Sequence, residues 1–268
     1  MSHHPKRVVS LQPSASVTLR DVGKLSSLAG CTKYCRDVCP EITEGVCTVA
    51  DSWTAQAQQI ALLKPDLVIA SVPYQEKALA EIMKCGARFL GLAPKSLADV
   101  YADIAVIAGV MNANGEGERV IENMRSEIDS VRSRTKDLSR LRVFCEEWGK
   151  PLIASQAWVA ELVEAAGGEF VGNPGKQISF ADVEELRPDV IIAAWCGVDD
   201  RVPLEKIIRW RDWENLPAAK NRRVYCIRDE FLNTPASTLV SGLQALAAAI
   251  HPERFPQVGG LRRIESIE

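Results

Sequence analysis

Two segments of this 268-residue chain share one arrangement of apolar and polar positions. LKPDLVIA at residues 63–70 recurs as LRPDVIIA at residues 186–193. In both, a helical stretch ends at a proline, and a run of β-branched and other apolar residues follows. Such a run without alternation is typical of a parallel strand that is buried on both faces. The repeat therefore predicts a helix–strand unit in each half of the chain.

Two further pairs of segments follow the same order in the two halves. RVVSL at 7–11 resembles RVFC at 142–145, and ARFLGL at 87–92 resembles RRVYCI at 222–227. Strands that alternate with helices in this way predict an open parallel sheet in each half.

The stretch between the halves predicts one long helix, because apolar residues recur at helical spacing through residues 116–137. The predicted fold class is therefore α/β, with two Rossmann-like parallel-sheet lobes joined by a single long helix. We place the lobes at residues 1–112 and 140–268 and the connecting helix at 113–139.

Composition narrows the class of protein. The chain is 47% hydrophobic and 25% charged, and its 32 basic and 35 acidic residues give a net charge of -3 without long blocks of one sign. This pattern gives no indication of nucleic-acid binding. No segment has the length of an apolar membrane span, and the amino terminus lacks the apolar run of a secretory signal. We therefore expect a cytoplasmic location, whereas oligomeric state is not indicated.

Open parallel sheets bind ligands beyond the carboxyl ends of their strands, so we expect a cleft lined by the strand ends of both lobes. Flat aromatic side chains at those ends suit a large planar or macrocyclic ligand. Glu146 and Glu147 could instead be solvated turn residues, and Trp195 could simply cap its sheet. The candidate ligand-binding residues are Tyr74, Glu146, Glu147, Trp148, Trp158, Trp195 and Cys196.

The eight cysteines separate into two groups. Cys85, Cys145 and Cys226 fall in a helical stretch or in strands, which indicates small core residues. The other five, including Cys196, fall at strand ends or in loops that face the expected cleft. Four of these lie within 17 positions, and a spacing of four residues places three of the four on one face if the segment is helical. These candidate metal ligands are Cys31, Cys35, Cys39 and Cys47.

Four thiolates from one segment can bind zinc or an iron–sulfur cluster. The spacing C-x3-C-x3-C-x7-C is, however, neither that of a zinc ribbon nor that of a ferredoxin. The sequence therefore leaves three alternatives for these cysteines: a metal centre, a redox role or no special role.

Signals for catalysis and for nucleotide binding are weak. The three histidines lie in tail-like or surface contexts, so no Ser/His/Asp or Cys/His set is visible. Glycine pairs lack the strand–loop–helix context of a phosphate-binding loop. We therefore predict a binding protein and not an enzyme.

Several motifs carry a resemblance to a known family. The first half resembles the substrate-binding proteins of cobalamin and iron-siderophore ABC transporters, and the second half is similar to the cobalamin-binding branch of that family. The motifs are RVVSLxPS at 7–14, the segment 30–40, LKPDLVIAS at 63–71, EWGKPL at 147–152, AWV at 157–159, EAAGG at 164–168 and HPERF at 251–255.

The resemblance implies a class III periplasmic-binding-protein fold with a small-molecule or metal-complex ligand held between two lobes. It also implies an ABC permease as partner if the chain is exported. Our first hypothesis is a non-catalytic protein that binds a corrinoid (cobalamin-like) or related metal-containing ligand. The alternative is a cytosolic metal or iron–sulfur protein that uses the four clustered cysteines together with Cys196.

Overall fold

Parallel β-sheets flanked by helices form the framework of the chain. The computed structural model describes residues 4–72 and 75–265, which divide into two units. Each unit has its own sheet and its own apolar core. The predicted α/β class with two parallel-rich sheets is confirmed.

Unit 1 comprises Met1–Asn123 together with Pro235–Ser237. Its described strands are β1 (Val8–Ser10), β2 (Leu28–Cys31), β3 (Cys47–Thr48), β4 (Leu67–Ser71) and β5 (Arg88–Leu92). Their order is β3-β2-β1-β4-β5, and the pairings are parallel. The helices are α1 (Pro13–Asp21), α2 (Lys33–Val38), α3 (Ala57–Leu62), α4 (Glu76–Lys84) and α5 (Leu97–Val110), with a 3-10 turn at Leu25–Ser27.

Strand β4 shows why the apolar run has no alternation. Leu67 and Ile69 pack into an apolar cluster on one face of the sheet, whereas Val68 and Ala70 pack into a second cluster. Helices cover both faces, so every residue of β4 is buried. This is the two-sided burial that the sequence pattern predicts.

Unit 2 comprises Met124–Thr234 together with Thr238–Glu268. Its described strands are β6 (Leu141–Gly149), β7 (Leu152–Ala154), β8 (Gly168–Phe170), β9 (Val190–Ala193), β10 (Val224–Ile227) and β11 (Leu261–Arg263). The helices are α7 (Ala157–Ala165), α8 (Phe180–Leu186), α9 (Leu204–Trp210), α10 (Pro217–Lys220), α11 (Asp229–Asn233) and α12 (Leu239–Ile250), and the order of the described strands is β11-β10-β9-β6-β7.

Strand β6 is long and has two successive partners on one side. Its first three residues pair in parallel with β8, and Glu146 to Gly149 pair with β7 as an antiparallel hairpin. On its other side, β6 pairs in parallel with β9. The second part of β6 therefore extends beyond the parallel core of the sheet.

The repeated Pro-Asp motif has the same structural role in both units. The Asp66 carboxylate accepts the backbone N–H groups of Lys6 and Arg7 at 2.8 and 3.0 Å. The Asp189 carboxylate accepts the backbone N–H of Arg142 at 2.9 Å. Each aspartate therefore satisfies backbone donors at the start of the first strand of its unit.

The segment assigned to the connecting helix contains α6 (Asn114–Thr135). Met124, Ile128 and Val131 are its buried apolar residues at helical spacing. The boundary between the units falls within this helix, after Asn123. Neither α6 nor any other helix in the described ranges is both long enough and apolar enough to cross a membrane.

Candidate functional site

The sheet of unit 1 has a switch point between β1 and β4, because the chain continues from β1 to β2 on one side and returns to β4 on the other. Ligands bind at such points in open α/β sheets. Gln12 follows β1, and its side-chain amide donates to Ser52 Oγ at 2.7 Å and to the Ser71 carbonyl at 3.3 Å. The predicted ligand residue Tyr74 lies outside the described residues.

Two aromatic side chains are displayed in loops and helices that follow strands of unit 1. Tyr34 lies in α2, directly after β2, and the Lys33 ammonium is 4.7 Å from the centre of its ring. Trp53, which follows β3, is 47% exposed. The candidate ligand residues selected from the sequence include neither Tyr34 nor Trp53.

The clustered cysteines are core residues in three of four cases. Cys31, Cys35 and Cys39 are fully buried in the apolar cluster that also contains Ala15 and Leu19 of α1. The fourth, Cys47, lies exposed on strand β3. The spacing of four residues therefore marks the face of the segment that packs against the core.

The surroundings of the buried thiols disfavour the thiolate form that a metal requires. Burial raises the pKa of Cys31 to about 11, and burial together with the Glu41 carboxylate raises the pKa of Cys39 to about 12. Cys35 lies among hydroxyl groups, with Thr32 Oγ1 at 3.2 Å from its sulfur. Within residues 4–72 and 75–265, no group of three or more His, Cys, Asp or Glu side chains is placed to hold a metal ion.

The proposed four-cysteine centre is therefore corrected to apolar packing for Cys31, Cys35 and Cys39 and to an isolated surface position for Cys47. The cysteines predicted to be small core residues are placed as expected in two cases, because Cys145 and Cys226 are buried in strands. Cys85 packs half-buried against the core of unit 1.

The switch point of unit 2 lies between β6 and β9, and the chain continues beyond both strands there. The Ala194 N–H donates to the Glu146 carbonyl at 2.9 Å, and the Cys196 N–H donates to the Glu147 carbonyl at 3.2 Å. Glu147 and Cys196 are therefore neighbours at this edge. We call residues 147–149 and 195–197, with the side chains that contact them, the unit 2 edge.

Glu147 lies at an irregularity in the pairing of β6 with β7. Its carboxylate accepts a hydrogen bond of 2.6 Å from the Gln156 amide. Burial raises the pKa of Glu147 to about 7, although the Gln156 hydrogen bond acts in the opposite direction. Bulges of this kind redirect side chains, and here a weakly ionised carboxyl group lies beside the edge.

Glu146 is fully buried and does not face solvent. The Arg211 guanidinium donates to its carboxylate at 2.8 Å, and neither side chain is exposed. Burial raises the pKa of Glu146 to about 7, and Arg211 acts against that rise. The prediction that Glu146 contacts a ligand is corrected: its carboxylate belongs to a buried ion pair.

Two tryptophans form the aromatic part of the unit 2 edge. Trp148 is 42% exposed, and its indole N–H donates to the Lys150 carbonyl at 2.9 Å. Trp195 is half-buried and lies over the backbone of Gly149, where an added Cβ would collide with its ring. Trp148 is therefore exposed at this edge, and Trp195 is exposed only in part.

The chain after Trp195 is fixed by side chains from α11. The Asp229 carboxylate accepts the Gly197 N–H at 2.7 Å, and the Asn233 amide donates to the Ala194 carbonyl at 2.7 Å and to Cys196 Sγ at 3.3 Å. Desolvation and the carboxylates of Glu147 and Asp229 raise the pKa of the Cys196 thiol to about 12. Cys196 is therefore an exposed but protonated thiol.

Trp158 is not displayed at the edge. It is 6% exposed, and its indole N–H donates to the Leu232 carbonyl at 2.9 Å. The predicted ligand contact is therefore corrected: Trp158 is part of the packing between α7 and α11.

Sequence reasoning missed Arg211, Gln156 and Asn233. Arg211 lies 65 residues from its partner Glu146, so no local pattern connects them. The one available signal was that Arg211 lies between Trp210 and Trp213 along the chain, since arginine side chains often pack against aromatic rings.

Comparison with known proteins assigns the family. A model of the family described as "Periplasmic binding protein" matches residues 8–231, so the chain belongs to this family. A Bacillus subtilis (strain 168) protein named as an uncharacterized ABC transporter substrate-binding lipoprotein is 24% identical over 94% of this chain and 82% of its own length. A protein of Vibrio cholerae named vitamin B12-binding protein is 25% identical over 89% of this chain and 87% of its own length.

Solved structures show the same fold. A periplasmic heme-binding protein from Pseudomonas aeruginosa superposes with a TM-score of 0.85 at 19% identity, and the match covers 98% of this chain and 99% of the other. The fold is thereby confirmed, and the family match together with the Bacillus subtilis relative confirms the resemblance to binding proteins of ABC transporters.

Two sequence-based expectations gain no support from these comparisons. The names of the relatives describe periplasmic proteins or a lipoprotein, which points away from the expected cytoplasmic location. None of the relatives named above is described as an iron–sulfur or zinc protein. The family consists of binding proteins whose ligands include vitamin B12 and heme in the relatives above.

Proposed function

We propose that this chain is a non-catalytic binding protein for a corrinoid, held against the unit 2 edge. The observation that carries the proposal is the combination there of Trp148 and Trp195 with Glu147, a carboxyl group whose pKa is raised by burial. Aromatic faces offer a large contact area to a flat macrocycle at small cost in side-chain entropy. The name of the Vibrio cholerae relative supports the same ligand class.

The polar groups of the edge favour a corrinoid over heme. Amide groups on the rim of a corrin ring can donate to the carboxyl groups of Glu147 and Asp229 and can pair with the amides of Gln156 and Asn233. Heme instead carries two propionates, and none of these four side chains is a cation that would pair with them. The edge therefore matches a ligand that is rich in amides and bears no carboxylates.

Calorimetric titration of the purified chain tests this proposal. We expect cyanocobalamin to bind with micromolar or tighter affinity and hemin to bind at least about tenfold more weakly, a difference of about 1.4 kcal/mol. Failure of cyanocobalamin to bind, or tighter binding of hemin, would overturn the assignment.

Substitution of the two tryptophans locates the ligand. We expect Trp195→Ala and Trp148→Ala each to weaken cyanocobalamin binding by roughly tenfold or more, because buried tryptophans dominate binding energy at interfaces. Met83→Ala is the matched control: Met83 is 59% exposed on α4 of unit 1, away from the strand ends. Equal affinities in all three variants would show that the ligand binds elsewhere.

The partner and the compartment follow from the family. We propose that the chain acts outside the cytoplasm and delivers its ligand to an ABC permease, in accordance with the name of the Bacillus subtilis relative. Co-purification with a corrinoid-transporting permease in the presence of cyanocobalamin, and localisation of the full natural gene product by fractionation, test these two points. Recovery only in the cytosolic fraction would contradict the placement.

A further inference from the structure

Arg211 follows α9 and connects three parts of unit 2 that are distant in sequence. Its guanidinium donates to the Glu146 carboxylate at 2.8 Å and to the Gly149 carbonyl at 3.3 Å. Both Arg211 and Glu146 have fully buried side chains. One side chain therefore holds both the middle of β6, at Glu146, and its end, at Gly149.

The same guanidinium is enclosed by aromatic rings. Its carbon lies 4.7 Å from the ring centre of Trp213, 5.0 Å from that of Phe180 and 6.0 Å from that of Trp195. A cation within about 6 Å of an aromatic face is attracted to it, and the attraction is stronger away from water. Trp195 therefore contacts two fixed neighbours, the Arg211 guanidinium and the Gly149 backbone.

We propose that Arg211 is a positioning residue that fixes Trp195 and the β6–β7 hairpin in the arrangement that binds ligand. The ligand part of this inference rests on the function proposed above, whereas the placement of Trp195 does not. Arg211 is buried and acts through Trp195, Glu146 and Gly149 rather than by contact with ligand.

Stability alone does not explain a buried ion pair at this place. Removal of two charges from water is costly, and apolar residues of similar volume often replace such pairs with neutral or favourable effects on stability. An apolar pair, however, cannot donate a directed hydrogen bond to the Gly149 carbonyl, nor can it attract the face of Trp195. We therefore expect the Glu146–Arg211 pair to contribute little to the stability of the fold. Its specific contribution should be to the positions of Trp195 and Gly149.

The double variant Glu146→Met with Arg211→Met separates these contributions. We expect its melting temperature to stay close to that of the unchanged chain, while its affinity for cyanocobalamin falls by roughly tenfold, or about 1.4 kcal/mol. In ¹⁵N-labelled protein, the indole N–H resonance of Trp195 should shift or broaden. The Trp158 indole, which is bound to the Leu232 carbonyl, is the internal control and should not move.

The possible outcomes are distinct for the two proposals. An unchanged Trp195 resonance together with unchanged affinity in the folded double variant would overturn the role of Arg211. If the unchanged chain binds no cyanocobalamin, the proposed function fails, while the Trp195 resonance still decides the positioning role. If the double variant does not fold, Arg211→Lys provides the same two readouts, because lysine keeps the charge but loses the planar fork.

Discussion

At the scale of single residues, Glu147 couples the unit 2 edge to pH. An unfolded glutamate ionises near pH 4.5, whereas burial raises the pKa of Glu147 to about 7 in the native state. Between these two values the unfolded chain releases a proton that the native chain keeps. The contribution of Glu147 to stability therefore falls as pH rises through this window and stays low above it.

The variant Glu147→Gln should isolate this effect. Relative to the unchanged chain, we expect it to gain stability progressively between pH 4.5 and about pH 8, by at most about 3 kcal/mol. Urea unfolding at a series of pH values measures the difference. Glu146 and the other titrating groups are present in both proteins, so their effects on stability cancel in the comparison. A difference in unfolding free energy that does not vary with pH would contradict the raised pKa of Glu147.

The eight thiols should differ widely in reactivity with iodoacetamide. We expect Cys47 to react first, because it is exposed, and Cys196 to react slowly, because its raised pKa keeps it protonated. The buried thiols of Cys31, Cys35, Cys39, Cys145 and Cys226 should react only after unfolding. Peptide mass spectrometry follows each site, and all eight should react in denaturant. Rapid native labelling of Cys35 or Cys39 would contradict the core assignment.

Some site residues could be found from sequence and others could not. The ends of buried strands are visible as the ends of apolar runs, which is why Glu147, Trp148, Trp195 and Cys196 were selected. Side-chain direction was not visible, because the irregular pairing at Glu147 interrupts the alternation along β6. As a result Glu146 is buried although Trp148, two residues later, is exposed.

At the scale of secondary-structure elements, the repeated Pro-Asp motif is explained by its hydrogen bonds. Asp66 and Asp189 each precede a buried strand and satisfy backbone N–H groups at the start of the strand that pairs with it. Their backbone N–H groups also donate back to the same strands, at 3.0 Å to Arg7 and 2.8 Å to Arg142. The motif therefore fixes the register of β4 against β1 and of β9 against β6.

Loss of one of these carboxylates should destabilise its unit. We expect Asp189→Ala to lower the free energy of unfolding by roughly 1–2 kcal/mol, because the Arg142 N–H loses its partner. Urea unfolding monitored by tryptophan fluorescence measures this loss. Glu185→Ala on the exposed side of α8 is the control and should change stability by less than about 0.5 kcal/mol. Equal stability in both variants would show that the Asp189 hydrogen bond makes no net contribution.

The long strands and helices were easier to predict than the short strands that pair with them. The strands with continuous apolar runs and the long helix follow from periodicity alone. The hairpin partner β7 and the edge strand β11 are only three residues long each, so they carry little periodic signal. The cysteine segment is helical only around Cys35 in α2, whereas Cys31 ends β2 and Cys39 follows α2. Spacing also cannot distinguish a face that packs from a face that binds metal.

At the scale of the whole molecule, the two units have separate cores, and five of the six tryptophans belong to unit 2. Fluorescence therefore reports mainly on unit 2, whereas far-UV circular dichroism reports on both units. We expect the two probes to give different urea transitions, because domains with their own cores unfold with limited cooperativity. Asp66→Ala in unit 1 should shift the dichroism transition more than the fluorescence transition. Coincident curves in both proteins would show a single cooperative unit.

The fold was predictable from the chain, whereas the ligand site was predictable only in part. The duplicated order of helix–strand units specifies two parallel sheets, and strand ends specify where each sheet binds. The buried contacts of Arg211 depend on three segments that meet only in the folded unit, so local patterns cannot show them.

The two successive partners of β6 set the β6–β7 hairpin apart from the rest of the sheet. Leu141 to Glu146 pair in parallel with β8 or β9, whereas Trp148 and Gly149 pair with β7 alone. Leu152 and Ala154 of β7 belong to the core of unit 2, so length and composition can change freely only at the turn between the two strands. A scaffold of this kind can exchange one cargo for another by replacing a few residues, so recognition can diversify while the sheet is inherited unchanged.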